Sequence, residues 1–125
     1  KRLMLKTFKD LMVWQKSHLL VLDIYKITEL FPKTEMFCLV SQMRRAAVSV
    51  AANIVEGFRR RSLRDSINFY NMADASLEEL KYHLLLSKDL KYVSDETYSR
   101  VLTLAEETSK LLMRWIQSQQ KNLSA

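Results

Sequence analysis

The chain has 125 residues, enough for one domain whose hydrophobic core needs no disulfide or metal. Its composition, 48% hydrophobic with a net charge of +6, excludes a disordered chain. No uninterrupted apolar run approaches the roughly 20 residues that span a bilayer, which excludes a membrane protein. No signal peptide is visible and the single cysteine cannot form an internal disulfide, so we expect a cytoplasmic protein.

Helix-breaking residues are scarce, with one glycine and one proline in the whole chain. This composition predicts an all-α protein. Apolar side chains three or four residues apart predict four amphipathic helices in a single domain, at about residues 10–30, 35–57, 63–90 and 95–118.

The first predicted helix follows Asp10, a suitable N-cap, and ends before Pro32. Its expected buried stripe consists of Leu11, Trp14, His18, Val21 and Tyr25. Thr34 can cap the second helix, and Gly57 is a natural stop at its end. The stripe of this second helix consists of Met36, Val40, Met43, Ala47, Val50 and Ile54.

The third predicted helix begins after Ser62, which forms a variant capping box with Asp65. Ser94 caps the fourth, whose first turn carries the acidic residues that the helix dipole favours. The polar tail at 117–125 is expected to fray. Short connections between the four segments make successive helices antiparallel, so the sequence predicts an up-and-down four-helix bundle.

The positive charge is concentrated in two segments. Residues 1–16 carry five basic groups against one acidic group, and residues 41–64 carry six against one, while the remainder has a net charge of −3. Local basic charge of this kind favours a polyanionic partner such as RNA or DNA.

Eight residues are the candidates for nucleic-acid binding: Arg44, Arg45, Arg59, Arg60, Arg61, Arg64, Lys9 and Lys16. Arg45 lies on a polar face of the second helix, and Arg44 flanks this face. The face could form intersubunit ion pairs or bind nucleic acid. The four arginines from 59 to 64 surround one turn, where guanidinium groups suit phosphate, although some also favour the negative end of a helix dipole. The lysines, with Lys1, Arg2 and Lys6, form either a mobile basic arm or a solubilising tail.

Groups that could carry catalysis are few. The sequence has no zinc-binding, phosphate-loop or nucleophile-elbow motif, and adjacent carboxylates such as Glu78 and Glu79 diverge around a helix. His18 falls on the apolar stripe and is expected in the core, whereas His83 on the flank of its helix is expected to be solvated or interfacial. The sequence therefore predicts no enzyme, no cofactor and no metal.

Three segments carry a family resemblance. They are residues 8–18 (FKDLMVWQKSH), residues 41–58 (SQMRRAAVSVAANIVEGF), and residues 77–92, which begin with LEEL and end with KDLKY. In this order they resemble the signatures of the four-helix-bundle family of proteins encoded in intervening sequences of 23S ribosomal RNA. The resemblance implies subunits that close into a homopentameric ring, and it implies no established biochemical activity.

The same fold is used by the accessory variability proteins of diversity-generating retroelements, which bind a reverse transcriptase and nucleic acid and which this chain resembles more loosely. We therefore expect a non-catalytic oligomeric scaffold that binds RNA or DNA through a basic surface, with a reverse transcriptase as a candidate partner. The alternative is a structural or protein-binding oligomer in which the arginines serve salt bridges. Neither reading involves a membrane.

Overall fold

A computed structural model describes residues 5–124, which form four long α-helices and no β-strand. The helices are α1 (Met12–Thr28), α2 (Ser41–Arg59), α3 (Leu63–Asp89) and α4 (Asp95–Ser124). Short helical turns precede α1 at Phe8–Asp10 and precede α2 at Lys33–Glu35 and Met36–Val40. Around the bundle, α1 and α3 each pack against both α2 and α4. The prediction of an all-helical chain with four helices is confirmed.

The core runs along the bundle axis and receives side chains from every helix. Most of the α2 stripe is buried, and Val50 has no exposed surface. The stripe that the same spacing predicts for α3 is buried throughout: Tyr70, Ala73, Leu77, Leu80 and Leu84. The stripe predicted for α4 is buried at Val101, Ala105, Thr108 and Leu112 and partly buried at its two ends, Tyr98 and Trp115. Burying each such side chain contributes about 1.5–3 kcal/mol through the hydrophobic effect. These stripes hold the four helices together.

The predicted stripe of α1 is wrong at His18 and Tyr25, which are exposed, whereas Leu11 is buried and Trp14 and Val21 pack against the core. The helix turns Val13, Leu20 and Ile24 into the core, whereas His18 is exposed and stacks on Trp14 with ring centroids 5.0 Å apart. The reason is that α1 is apolar on more than one side, with Leu19 and Leu22 also exposed. Hydrophobicity alone does not identify the inner face of such a helix.

Several helix ends also differ from the prediction. Asp10 closes the turn Phe8–Asp10 instead of capping α1, which begins at Met12. Helix α2 begins at Ser41, because Met36–Val40 forms a wider π-type turn. The α4 helix continues through the tail expected to fray and reaches Ser124, since this segment contains no glycine or proline.

Gly57 is not the stop signal that the sequence suggested. It lies inside α2, which continues to Arg59, and the backbone at Gly57 is not in the left-handed region. Its hydrogen instead faces the buried ring of Tyr70 on α3, where an added Cβ would lie 2.4 Å from a ring carbon. Glycine at this position lets α2 and α3 approach each other closely.

Replacing Gly57 with alanine is therefore expected to destabilise the fold by about 1–3 kcal/mol, because the methyl group overlaps the ring. Denaturant unfolding measures the change. The control is the same substitution in a Tyr70→Ala background, where the ring is gone and alanine should not destabilise further, since it favours the helix more than glycine does. An equal loss in both backgrounds would contradict this account of the contact.

His83, expected to be solvated or interfacial, is not solvated but buried in α3. Its Nδ1 atom has no hydrogen-bond partner among residues 5–124, and its Nε2 atom lies 3.7 Å from a carboxylate oxygen of Glu79. Burial lowers the pKa of His83, and the nearby Glu79 carboxylate opposes this shift only in part. The folded protein therefore favours the neutral imidazole.

The buried environment of His83 predicts that the free energy of unfolding decreases as the pH decreases. As pH drops below about 6.5, the unfolded chain takes up a proton on His83 before the folded chain does, so the free energy of unfolding decreases. Denaturation measured between about pH 7.5 and pH 5.5 should show this slope in the wild type. The control variant His18→Gln, which removes the exposed histidine and leaves His83 in place, should retain it. The His83→Gln variant should have a flatter profile, and an unchanged slope in that variant would rule out His83 as its source.

Candidate nucleic-acid interface

The antiparallel helices bring one group of cations to one end of the bundle. The turn before α1, the end of α2 and the start of α3 all lie there. We define the basic end by six residues of these segments: Lys6, Lys9, Arg59, Arg60, Arg61 and Arg64. The same segments contain three carboxylates, those of Asp10, Glu56 and Asp65.

Asp10 holds the first segment of the basic end in place. One of its carboxylate oxygens accepts hydrogen bonds from the backbone amides of Lys6 and Thr7, at 2.9 and 3.0 Å. These hydrogen bonds from backbone amides lower the pKa of Asp10. The Thr7 hydroxyl in turn accepts from the amide of Lys9 at 3.2 Å, which completes a capping box. Both lysines are therefore attached to an ordered turn.

Arg60 is the member of the basic end whose charge is already used. Its Nη2 atom donates to Glu56 at 2.7 Å, and its guanidinium group lies over the ring of Phe69, 4.5 Å from the centroid. By contrast, Arg59, Arg61 and Arg64 are exposed and pair with no carboxylate among residues 5–124. Three of the four predicted arginines therefore remain available to a ligand.

Arg44 and Arg45 do not belong to this end. Fifteen residues separate Arg44 from Arg59 along α2, which corresponds to roughly 22 Å. The Nε atom of Arg44 donates to the Thr28 hydroxyl at 3.0 Å, its Nη2 atom donates to the Tyr25 carbonyl at 3.3 Å, and its guanidinium lies over the Tyr25 ring. Arg44 thus joins α2 to the last turn of α1. Arg45 is exposed and lines a groove with Phe37 and Val48.

The other predicted lysines and the polar face of α2 have separate surroundings. Lys16 lies within α1 and forms an ion pair with Glu107 of α4 at 3.6 Å, so it is not part of a mobile arm. Lys1 and Arg2 lie outside the described residues. Ser49, one helical turn beyond Arg45 on α2, contacts Ser76 of α3 at 2.8 Å between hydroxyl oxygens.

A pocket of about 410 Å³ opens beside the basic end, between the first turn and the last turns of α2. We call it the Phe8 pocket, and it is lined by Lys6, Thr7, Phe8, Val55, Glu56, Phe58 and Arg59. Two phenylalanine rings and a valine give it apolar walls. Sequence reasoning missed this pocket because its two sides are more than forty residues apart in the chain.

Arg114 of α4 was also missed. It lies beside the same turn, in a groove with Leu5, Asp10 and Met12. The only sequence signal for it is a basic residue near the end of a helix, which by itself identifies no site.

Within residues 5–124, no group of three histidine, cysteine, aspartate or glutamate side chains is placed to hold a metal ion. None of the helices there combines the length and apolar character needed to cross a membrane. The strongest chemical feature of the described surface is the basic end with its pocket.

Comparisons with known proteins agree with the sequence resemblance. Residues 9–114 match the family model described as 23S rRNA-intervening sequence protein. The fold is similar to the crystal structure of a protein of unknown function from the S23 ribosomal protein family of Bacteroides thetaiotaomicron, with a TM-score of 0.79 and 30% identity. That match covers 87% of this chain and 98% of the other. No curated protein matches this chain in sequence. The chain belongs to the 23S rRNA-intervening sequence protein family.

Proposed function

We propose that this protein is a non-catalytic, oligomeric scaffold that binds RNA or DNA through its basic end. The observation that carries the proposal is the exposure of Arg59, Arg61 and Arg64, which pair with no carboxylate within residues 5–124. Guanidinium groups donate paired hydrogen bonds to phosphate oxygens, and they remain charged at any physiological pH. Three of them on one short connection suit a phosphate backbone.

The opposite end of the bundle supports the same proposal by contrast. It carries the cations Lys33, Lys88 and Lys91, but also five carboxylates, at Glu29, Glu35, Asp89, Asp95 and Glu96. The charge is therefore polarised along the bundle axis. A polyanion approaching the molecule would be steered toward the basic end.

A second observation favours self-association, which the alternative function also requires. Large apolar side chains are exposed along α1 and in the turn before α2, including Leu19, Leu22, Leu30 and Phe37, the last with 92% of its surface accessible. Large apolar side chains that remain exposed on neighbouring segments are candidates for a protein contact. We propose that this face joins copies of the chain into a homopentameric ring, which would repeat the basic end around one axis and let weak phosphate contacts act together.

A reverse transcriptase is the protein partner that we propose to test first, from the resemblance to retroelement accessory proteins. A gene for a reverse transcriptase and a template repeat next to this gene would support that role. A location within a ribosomal RNA gene would instead support the structural alternative.

Binding to a polynucleotide is expected to weaken steeply with salt and to show little sequence preference. Substituting Arg61 and Arg64 with glutamine should reduce the slope of log affinity against log salt by about 1.5, since each phosphate contact contributes about 0.7–0.9. Fluorescence anisotropy with a labelled RNA or DNA strand measures the affinity at each salt concentration, from which the slope is calculated.

The matched control is the double substitution Lys33→Gln and Lys91→Gln, which removes the same charge from the opposite end and should leave the slope unchanged. Equal effects of the two double variants would show that binding depends only on net charge. No binding to any polynucleotide at low salt would leave the structural oligomer as the function.

The proposed ring predicts a particle five times the 14.7 kDa mass of the chain in size-exclusion chromatography with light scattering. Leu19→Glu together with Leu22→Glu should dissociate it, because charged side chains cannot be buried in an apolar contact without a large penalty. Met72→Glu with Tyr82→Glu, on the exposed surface of α3, provides the control. A wild-type monomer at micromolar concentration contradicts the assembly.

A further inference from the structure

We propose that the Phe8 pocket receives one unpaired base of a single-stranded nucleic acid whose phosphates contact the surrounding arginines. This inference rests on the proposed function and narrows it. It specifies a strand with free bases, in contrast to a duplex, as the molecule that the basic end binds.

The size and walls of the pocket suit a base. A volume of about 410 Å³ lies in the range of small-ligand sites and exceeds what a single nucleobase occupies. The rings of Phe8 and Phe58 and the side chain of Val55 form its apolar surface. Bases stack on aromatic rings of this kind whatever their identity, which agrees with binding that has little sequence preference.

The pocket is also held in shape before any ligand arrives. The Phe8 ring contacts Trp14 edge to face, with centroids 4.9 Å apart and planes at 72°. The hydrogen bonds from Lys6 and Thr7 to Asp10 fix the turn that carries Phe8. Phe58 is half-buried and packs against the core. The two rings therefore need little reorganisation to accept a base, which reduces the entropic cost of binding.

The charges around the pocket indicate a polyanionic ligand. Lys6 and Arg59 form part of its wall, and Arg61 follows two residues later on the same connection. The single carboxylate in the wall, that of Glu56, already accepts a hydrogen bond from Arg60. A base in the pocket would therefore have cations next to its own phosphate and next to that of its neighbour. A paired base could reach the same position only after leaving its duplex, which costs free energy.

The first test uses the wild-type protein and two short RNA strands of equal length, one intact and one in which the bases are replaced by abasic sites. Both strands carry the same phosphate charge. We expect the intact strand to bind about tenfold more tightly, because it alone can stack a base. The comparison requires no variant that could misfold.

The second test fills the pocket. Val55→Trp adds bulk to its wall without changing any charge, and it should abolish the preference for the intact strand while leaving the salt dependence in place. Met72→Trp, on the exposed surface of α3 and outside the lining of the pocket, is the matched control and should retain the preference. Circular dichroism confirms that both variants fold.

The outcomes separate this inference from the proposed function. Equal binding of intact and abasic strands, or a preference that persists in Val55→Trp, overturns the base pocket although electrostatic binding survives. Displacement of RNA by an acidic aromatic peptide, together with equal binding of both strands, assigns the pocket to a protein partner and also overturns it. Failure to bind any strand at low salt removes the proposed function itself.

Discussion

The contact between Gly57 and Tyr70 fixes the relation between α2 and α3 on which the rest of the surface depends. A buried aromatic ring can lie against the backbone of α2 only where no side chain intervenes, so this contact determines how closely the two helices approach. The connection between them then has to turn within a few residues, and those residues are mostly arginines. Close packing in the core thus determines where the charged connection lies, beside the turn that precedes α1.

Elsewhere on the described surface, three cations are matched by carboxylates from another helix. Lys16 pairs with Glu107, Lys81 lies between two glutamates, and Arg100 donates two hydrogen bonds to Asp23. Exposed pairs of this kind stabilise the fold only slightly, but they reduce the charge available to a ligand. In the basic end, two of the three carboxylates are already engaged, Asp10 with backbone amides and Glu56 with Arg60. The candidate site is therefore defined by the clustering of six cations on three adjoining segments.

The sequence predicted the helical fold well and the site in part. The stripe of α3 and the middle of the α4 stripe are buried as expected. In α1 the prediction failed at His18 and Tyr25, and it missed Ser17, whose hydroxyl is satisfied in the buried position by donating to the Trp14 carbonyl at 2.8 Å, which hydrophobicity does not reveal. The arginine cluster was visible as composition, whereas the pairing of Arg60, the attachment of Arg44 to α1 and the Phe8 pocket depend on contacts between distant segments. Such contacts have no signature in a local pattern.

The stacking of Trp14 between Phe8 and the exposed His18 gives the protein a built-in optical probe. Indole emission depends on the groups that touch the ring. Trp14 contacts Phe8, a wall residue of the pocket, and stacks on the solvent-facing ring of His18. Its fluorescence therefore responds to occupancy of the pocket. Trp115, the second tryptophan, lies against Tyr70 instead and provides an internal reference within the same molecule.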